Sequence, residues 1–117
     1  MSLLYKRSVR VSGLIHRIVA EIIREMRNLD TKKFVTITNV KLTDDLLNCK
    51  VYYSVFGTKE DKEKADRILK KNVKNVRYQL ALRLNLRRTP AISFVYDYTN
   101  ENASKIFDIL RRIEEEN

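Results

Sequence analysis

Arg67-Ile68-Leu69-Lys70-Lys71-Asn72-Val73-Lys74-Asn75-Val76-Arg77-Tyr78-Gln79-Leu80-Ala81-Leu82-Arg83-Leu84-Asn85-Leu86-Arg87-Arg88-Thr89-Pro90 contains eight basic side chains and no acid. Leu69, Val73, Val76, Leu80 and Leu84 recur at spacings of four and three, the period of one helix face, which turns Arg67, Lys70, Lys71, Lys74, Arg77 and Tyr78 to another side. Asn72-Val73-Lys74-Asn75 contains no strong helix former except lysine, so a kink or short break is predicted there. The stretch is thus a long helical connection with one apolar face, and what it connects decides the topology.

On its N-terminal side lie two runs rich in β-branched and aromatic residues, Phe34 to Leu42 and Cys49 to Phe56, read as strands. The polar Thr43-Asp44-Asp45 and the shortness of the link to Asn48 return the chain antiparallel to itself. Cys49, Val51, Tyr53 and Val55 share one face of the second strand, and Gly57 ends it. Thr58 before Lys59-Glu60-Asp61 has the form of a helix N-cap with acids at the positive end of the dipole. Beyond Pro90, the alternation of Ile92 to Tyr98 reads as a third strand. A helix between the second and third strands makes them candidates for a parallel pair with a right-handed crossover.

Farther out, Leu14, Ile15, Ile18, Val19, Ile22, Ile23 and Met26 mark one face of a first helix over Ser8 to Arg27, with Arg10, Arg17, Arg24 and Arg27 opposite. At the other end Thr99 or Asn100 caps a last helix, about 100–115, whose stripe is Ile106, Ile109, Leu110 and Ile113. The order is helix, strand, strand, helix with a break, strand, helix. Three strands cannot cover themselves, so at least two helices pack on one face of the sheet in an α+β domain spanning residues 1–117.

The chain has 117 residues, 44% hydrophobic and 33% charged, which suits a single globular domain and not a disordered chain. No window resembles a membrane span or an export signal, and a cytoplasmic protein is expected. A lone cysteine, Cys49, and a lone histidine, His16, leave no disulfide framework and no cysteine-based zinc module. Cys49 reads as a buried structural thiol, His16 as a helix-surface histidine and Asp44-Asp45 as a turn stabiliser. With glycine only at Gly13 and Gly57, neither a Walker loop nor a dinucleotide fingerprint is present. Catalysis is not expected, nor a cofactor, metal or small-molecule substrate.

The formal net charge is +9, with a pI near 9.8. Residues 1–57 carry 10 basic and 5 acidic groups, residues 58–100 carry 11 and 5, and residues 101–117 carry 3 and 5, so the surplus lies in the first hundred residues. A rigid row of Lys and Arg supplies the several donors that a phosphate backbone needs and releases its condensed counterions. Asn72 and Asn75 add neutral groups for base edges or sugar hydroxyls. Nucleic-acid binding is therefore preferred to a merely solvated helix face, with Arg87, Arg88, Arg10 and Arg17 as further contacts. Tyr52, Tyr53, Tyr96 and Tyr98 are assigned to core and cross-strand packing in preference to base stacking. The competing readings are a nucleoid DNA or single-strand binder, and a module that docks an acidic protein.

Phe34-Val35-Thr36-Ile37-Thr38, Lys50 to Gly57, Arg77 to Pro90 and Phe94-Val95-Tyr96-Asp97 resemble, in order and spacing, the pattern of the ribosome-binding factor A family. The resemblance runs through nearly the whole chain, from the opening Arg7 to Glu25 helix onward. It implies a type II KH-like domain, helix-strand-strand-helix-kink-helix-strand, with the C-terminal helix as an addition to the core. Ordinary KH domains grip single strands through a Gly-x-x-Gly loop, whereas this family has a helix-kink-helix with an Ala-x-Gly signature. By register that signature falls on Asn72-Val73-Lys74, where neither residue is present. The resemblance further implies a non-enzymatic assembly factor, and a monomer is expected. Its partners would be the free small (30S) ribosomal subunit and its 16S rRNA, and it would assist late maturation, 5′-end processing and growth in the cold.

Overall fold

Cys49, Val51 and Tyr53 are buried while Asn48 and Lys50 are exposed, so the second strand has one wet and one dry face. The computed structural model describes residues 3–26 and 35–99. Its elements are α1 (Leu3–Glu25), β1 (Val35–Leu42), β2 (Asn48–Val55), α2 (Lys59–Lys71), α3 (Val73–Arg83) and β3 (Ala91–Tyr96). The strands form one sheet in the order β1-β2-β3. β1 is antiparallel to β2 and β2 is parallel to β3, as the intervening helical connection predicts. This is the helix-strand-strand-helix-helix-strand order of a KH-like domain. The last helix and the Phe34 start of the first strand lie outside the described residues.

β1 departs from simple alternation. Ile37 pairs with Tyr53 and Asn39 with Tyr52, which leaves Thr38 unpaired in a bulge. The extra residue lets Ile37 and Val40, three positions apart, both enter the core. Two bonds hold the bulge. Nε2–H of His16 on α1 donates to the Ile37 carbonyl at 2.8 Å, and Thr38 Oγ1 donates to Asp97 Oδ2 at 2.6 Å. His16 is therefore a half-buried tie between α1 and β1 and not a surface histidine, because β1 offers a carbonyl left over where its ladder is interrupted.

α1 begins at Leu3, not at Ser8, and Ser8 is buried within it with its hydroxyl donating to Asp44 at 3.3 Å. The core stripe accordingly starts a turn earlier, at Val11, and continues through Ile15, Ile18, Val19, Ile22, Ile23 and Met26. Leu14 falls just outside it and is 37% exposed. α1 packs on β1 and α3, while α2 and α3 pack on β3, so the helices cover one face of the sheet. Leu69, Val76, Leu80 and Leu84 complete the core from their side. Burying each such aliphatic side chain contributes about 1.5–3 kcal/mol before entropy is counted.

Candidate nucleic-acid interface

α2 starts where the chain provides every part of a cap. Thr58 Oγ1 accepts from Asp61 N at 3.1 Å and the Asp61 carboxylate accepts from Thr58 N at 3.0 Å, a reciprocal capping box. Those two bonds hold the Asp61 carboxyl below its ordinary range. Gly57, at φ +155, leads into the cap, and a Cβ there would come within 2.6 Å of Asp61 Oδ2.

The helix then kinks at Asn72 and resumes as α3. Asn72 sits at φ −102, ψ 11; its N–H donates to the Ile68 and Leu69 carbonyls, and its Nδ2 donates to Ile68 at 2.7 Å. The kink uses no left-handed residue, so the helix pair forms with asparagine and lysine at the two places where the resemblance would put alanine and glycine.

Arg67, Lys71, Lys74 and Asn75 are exposed along the outside of this pair, while Ala65, Leu69, Val76 and Leu80 fill the inside. Arg67, Lys71 and Lys74 have no carboxylate partner among the described residues, so their charge is available to a ligand. The remaining predicted residues differ from one another. Lys70 pairs with Asp66 at 3.2 Å, and Asp66 also accepts the Tyr53 hydroxyl at 2.5 Å. That hydroxyl bond, and then Lys70, hold the Asp66 carboxyl below its ordinary range, while burial pushes the Tyr53 phenol up. Asn72 is spent on its own helix, so Asn75 alone of the two asparagines faces outward.

Arg77 donates to the carbonyls of Thr89 at 2.8 Å and Pro90 at 3.2 Å, which fastens the loop carrying the exposed Arg87 and Arg88 to α3. Arg10 and Arg17 are exposed on α1, flanking Gly13 and Leu14, as a separate patch. Thus Arg67, Lys70, Lys71 and Lys74 share one ridge, and Arg87 and Arg88 are tethered to its helix.

The tyrosines divide as the alternation requires. Tyr53 is buried edge-on against Phe94 and Tyr96, and Tyr52 faces the other side of the sheet. Tyr96 and Tyr98 stack edge to face, with the Lys62 ammonium 3.8 and 4.8 Å from their centroids. They line, with Lys59, Lys62 and Lys70, a cleft of about 490 Å³ between α2 and β3. The sequence reading missed Lys59 and Lys62, which precede the acid-free stretch and alternate with Glu60, Asp61 and Glu63. Among the described residues no His, Cys, Asp and Glu gather as metal ligands, and no helix is long and apolar enough to cross a membrane. Burial raises the Cys49 thiol to about 11, the behaviour of a structural cysteine.

A family model described as ribosome-binding factor A matches residues 7–110. Ribosome-binding factor A of Syntrophobacter fumaroxidans is 38% identical over 112 residues, covering 93% of this chain and 95% of the relative. That of Trichlorobacter lovleyi is 34% identical over 109 residues, covering 93% and 89%. The crystal structure of ribosome-binding factor A from Thermus thermophilus superposes with a TM-score of 0.67 at 25% identity, over 76% of this chain and 93% of that one. A Thermus thermophilus model fitted into the cryo-EM map of a 30S complex has the same fold, with a TM-score of 0.63 at 24% identity, over 75% of this chain and 92% of that one.

Proposed function

Because the chain belongs to the ribosome-binding factor A family, we propose that it binds the free small ribosomal subunit through rRNA, without catalysing a reaction, and assists late 16S rRNA maturation, including 5′-end processing and growth in the cold. The observation that carries this reading is the row of Arg67, Lys71 and Lys74, exposed on a rigid kinked helix pair with no carboxylate partner among the described residues. Phosphates of a folded RNA present negative charge at intervals, and cations fixed at successive helical turns meet several of them without first being ordered. Arg77 adds to this by positioning the Arg87-Arg88 loop. A Thermus thermophilus relative was placed in the map of a 30S complex, which supports the small subunit as the RNA in question.

Sedimentation of a lysate tests the reading: the protein is expected with free small subunits, and its absence there, or a preference for translating ribosomes, overturns it. In purified form, Lys71→Glu with Lys74→Glu is expected to leave the helix content intact, weaken binding to 16S rRNA and reduce the slope of log affinity against log salt by about one per lost contact. Equal affinity for duplex DNA of matched length would instead favour a nucleoid binder, and a pull-down that survives nuclease would favour an acidic protein partner.

A further inference from the structure

We propose that the sheet face that no described helix covers is a second binding surface, for an unpaired segment of RNA, built on Tyr52 with Lys41 and Lys50. This face lies opposite the helix layer, and the inference stands apart from the ridge.

The three described strands contain two lysines and no acid. The bulge at Thr38 sets which way β1 faces from there on, so that Lys41 comes directly opposite Lys50 and Asn39 opposite Tyr52. Like charges in directly opposed positions repel, so a sheet built for stability alone has no reason to place two lysines there. A polyanion relieves that repulsion. Both lysines are exposed, and Lys50 neighbours Ser93 on β3, so no carboxylate of the strands offsets them. Asp97, the acid just after β3, is engaged first by Thr38 Oγ1 at 2.6 Å and Thr99 N at 2.9 Å, and then feels the Lys41 charge; together these hold its carboxyl below the ordinary range. It therefore offsets Lys41 in part, while Lys50 is not among the groups that act on it.

The aromatic group selects the form of the ligand. Tyr52 is half-buried, between Asn39 on one strand and Val95 on the other. The Lys41 ammonium lies 5.4 Å from its ring centroid. A base with a free π-face stacks on such a ring and displaces the ammonium toward the adjoining phosphate, whereas a duplex keeps its bases hidden. The small neighbours Ser93 and Ala91, both exposed, leave the platform open. With the ridge on the helix side and this platform on the other, one chain touches two RNA segments at once, an arrangement suited to holding a single strand away from its pairing partner.

The test uses the full chain and a short labelled uridine oligomer, read by fluorescence anisotropy. Lys41→Glu with Lys50→Glu, and separately Tyr52→Ala, are each expected to weaken binding about tenfold, and Tyr52→Phe to bind like the parent. On an RNA long enough to reach both faces, combination with Lys71→Glu and Lys74→Glu is expected to multiply the losses, as for independent surfaces. Parent-like affinity in both the lysine pair and Tyr52→Ala, with the circular dichroism spectrum unchanged, overturns the proposal. So does equal damage from Tyr52→Phe and Tyr52→Ala, which would make the hydroxyl and not the ring the recognised group. If only the ridge variants lose affinity, the platform is wrong and the ridge stands; if only the sheet variants do, the reverse holds.

Discussion

At the scale of single residues, Gly57 is the position where the backbone leaves no choice. It is the one glycine among the described residues at positive φ, and its missing Cβ makes room for the Asp61 carboxylate that caps α2. Gly57→Ala is expected to cost about 1–3 kcal/mol in urea unfolding, through strain and loss of the capping geometry. Thr58→Ala removes only the cap and is expected to cost about 1 kcal/mol. Tyr53 presents a different case, because its ring is core and its hydroxyl serves Asp66. Tyr53→Phe keeps the packing, so the expected loss is about 1 kcal/mol for a hydrogen bond to a partly exposed carboxylate. The same substitution frees Asp66 to bind Lys70 alone. The Thr58 cap was legible in the sequence because it is local. The Tyr53 bond, thirteen positions away at Asp66, was not, and neither was the use of Arg77 on the carbonyls of Thr89 and Pro90, since all depend on where the chain returns.

At the scale of elements, the periodicities that survive in the structure are those of long helices. The α1 stripe and the Leu69-Val76-Leu80-Leu84 stripe were readable because each repeats over several turns. The bulge in β1 was hidden, although Ile37 and Val40 stand three apart, a spacing that simple alternation cannot bury on one face. The kink was placed within Asn72 to Asn75, and the structure assigns it to Asn72. Lys74, where the resemblance by register would put a glycine, is in the first turn of α3 at ordinary helical geometry. Restoring that residue is therefore not a repair: Lys74→Gly is expected to lower stability by up to about 1 kcal/mol through backbone entropy, measured by thermal melting, and to weaken RNA binding as well. A rise in stability would show that the kink is strained in a way its dihedrals do not reveal. Elsewhere α3 is unusual for a surface helix, with Tyr78 and Leu82 exposed opposite its buried face, so its pattern is less amphipathic than that of α1.

At the scale of the whole molecule, a formal charge of +9 must be accommodated by a small fold, and four of its 15 acidic side chains are fixed in hydrogen bonds. Asp45 accepts from Thr43 and Leu47 N, Asp61 from Thr58, Asp66 from Tyr53 and Lys70, and Asp97 from Thr38 and Thr99, and each of these carboxyls is held below its ordinary range. A carboxyl whose pKa is depressed by folding stabilises the native state fully above its unfolded value, and that contribution disappears as the pH falls through the folded value. Protonating them also removes negative charge from a chain that already repels itself, so the two effects act in the same direction. The melting temperature is therefore expected to hold from neutral pH down to about 5 and to drop steeply toward about 3. Thr38→Val tests the attribution, since it removes the largest influence on Asp97 while keeping the β-branched shape of the bulge. The variant should be less stable than the parent at neutral pH, and the difference should shrink as Asp97 is protonated, because the bond that was lost no longer favours a charged group. A gap between the two proteins that stays constant through the acid range would mean that Thr38 acts by packing alone, and that the bulge does not depend on the Asp97 charge.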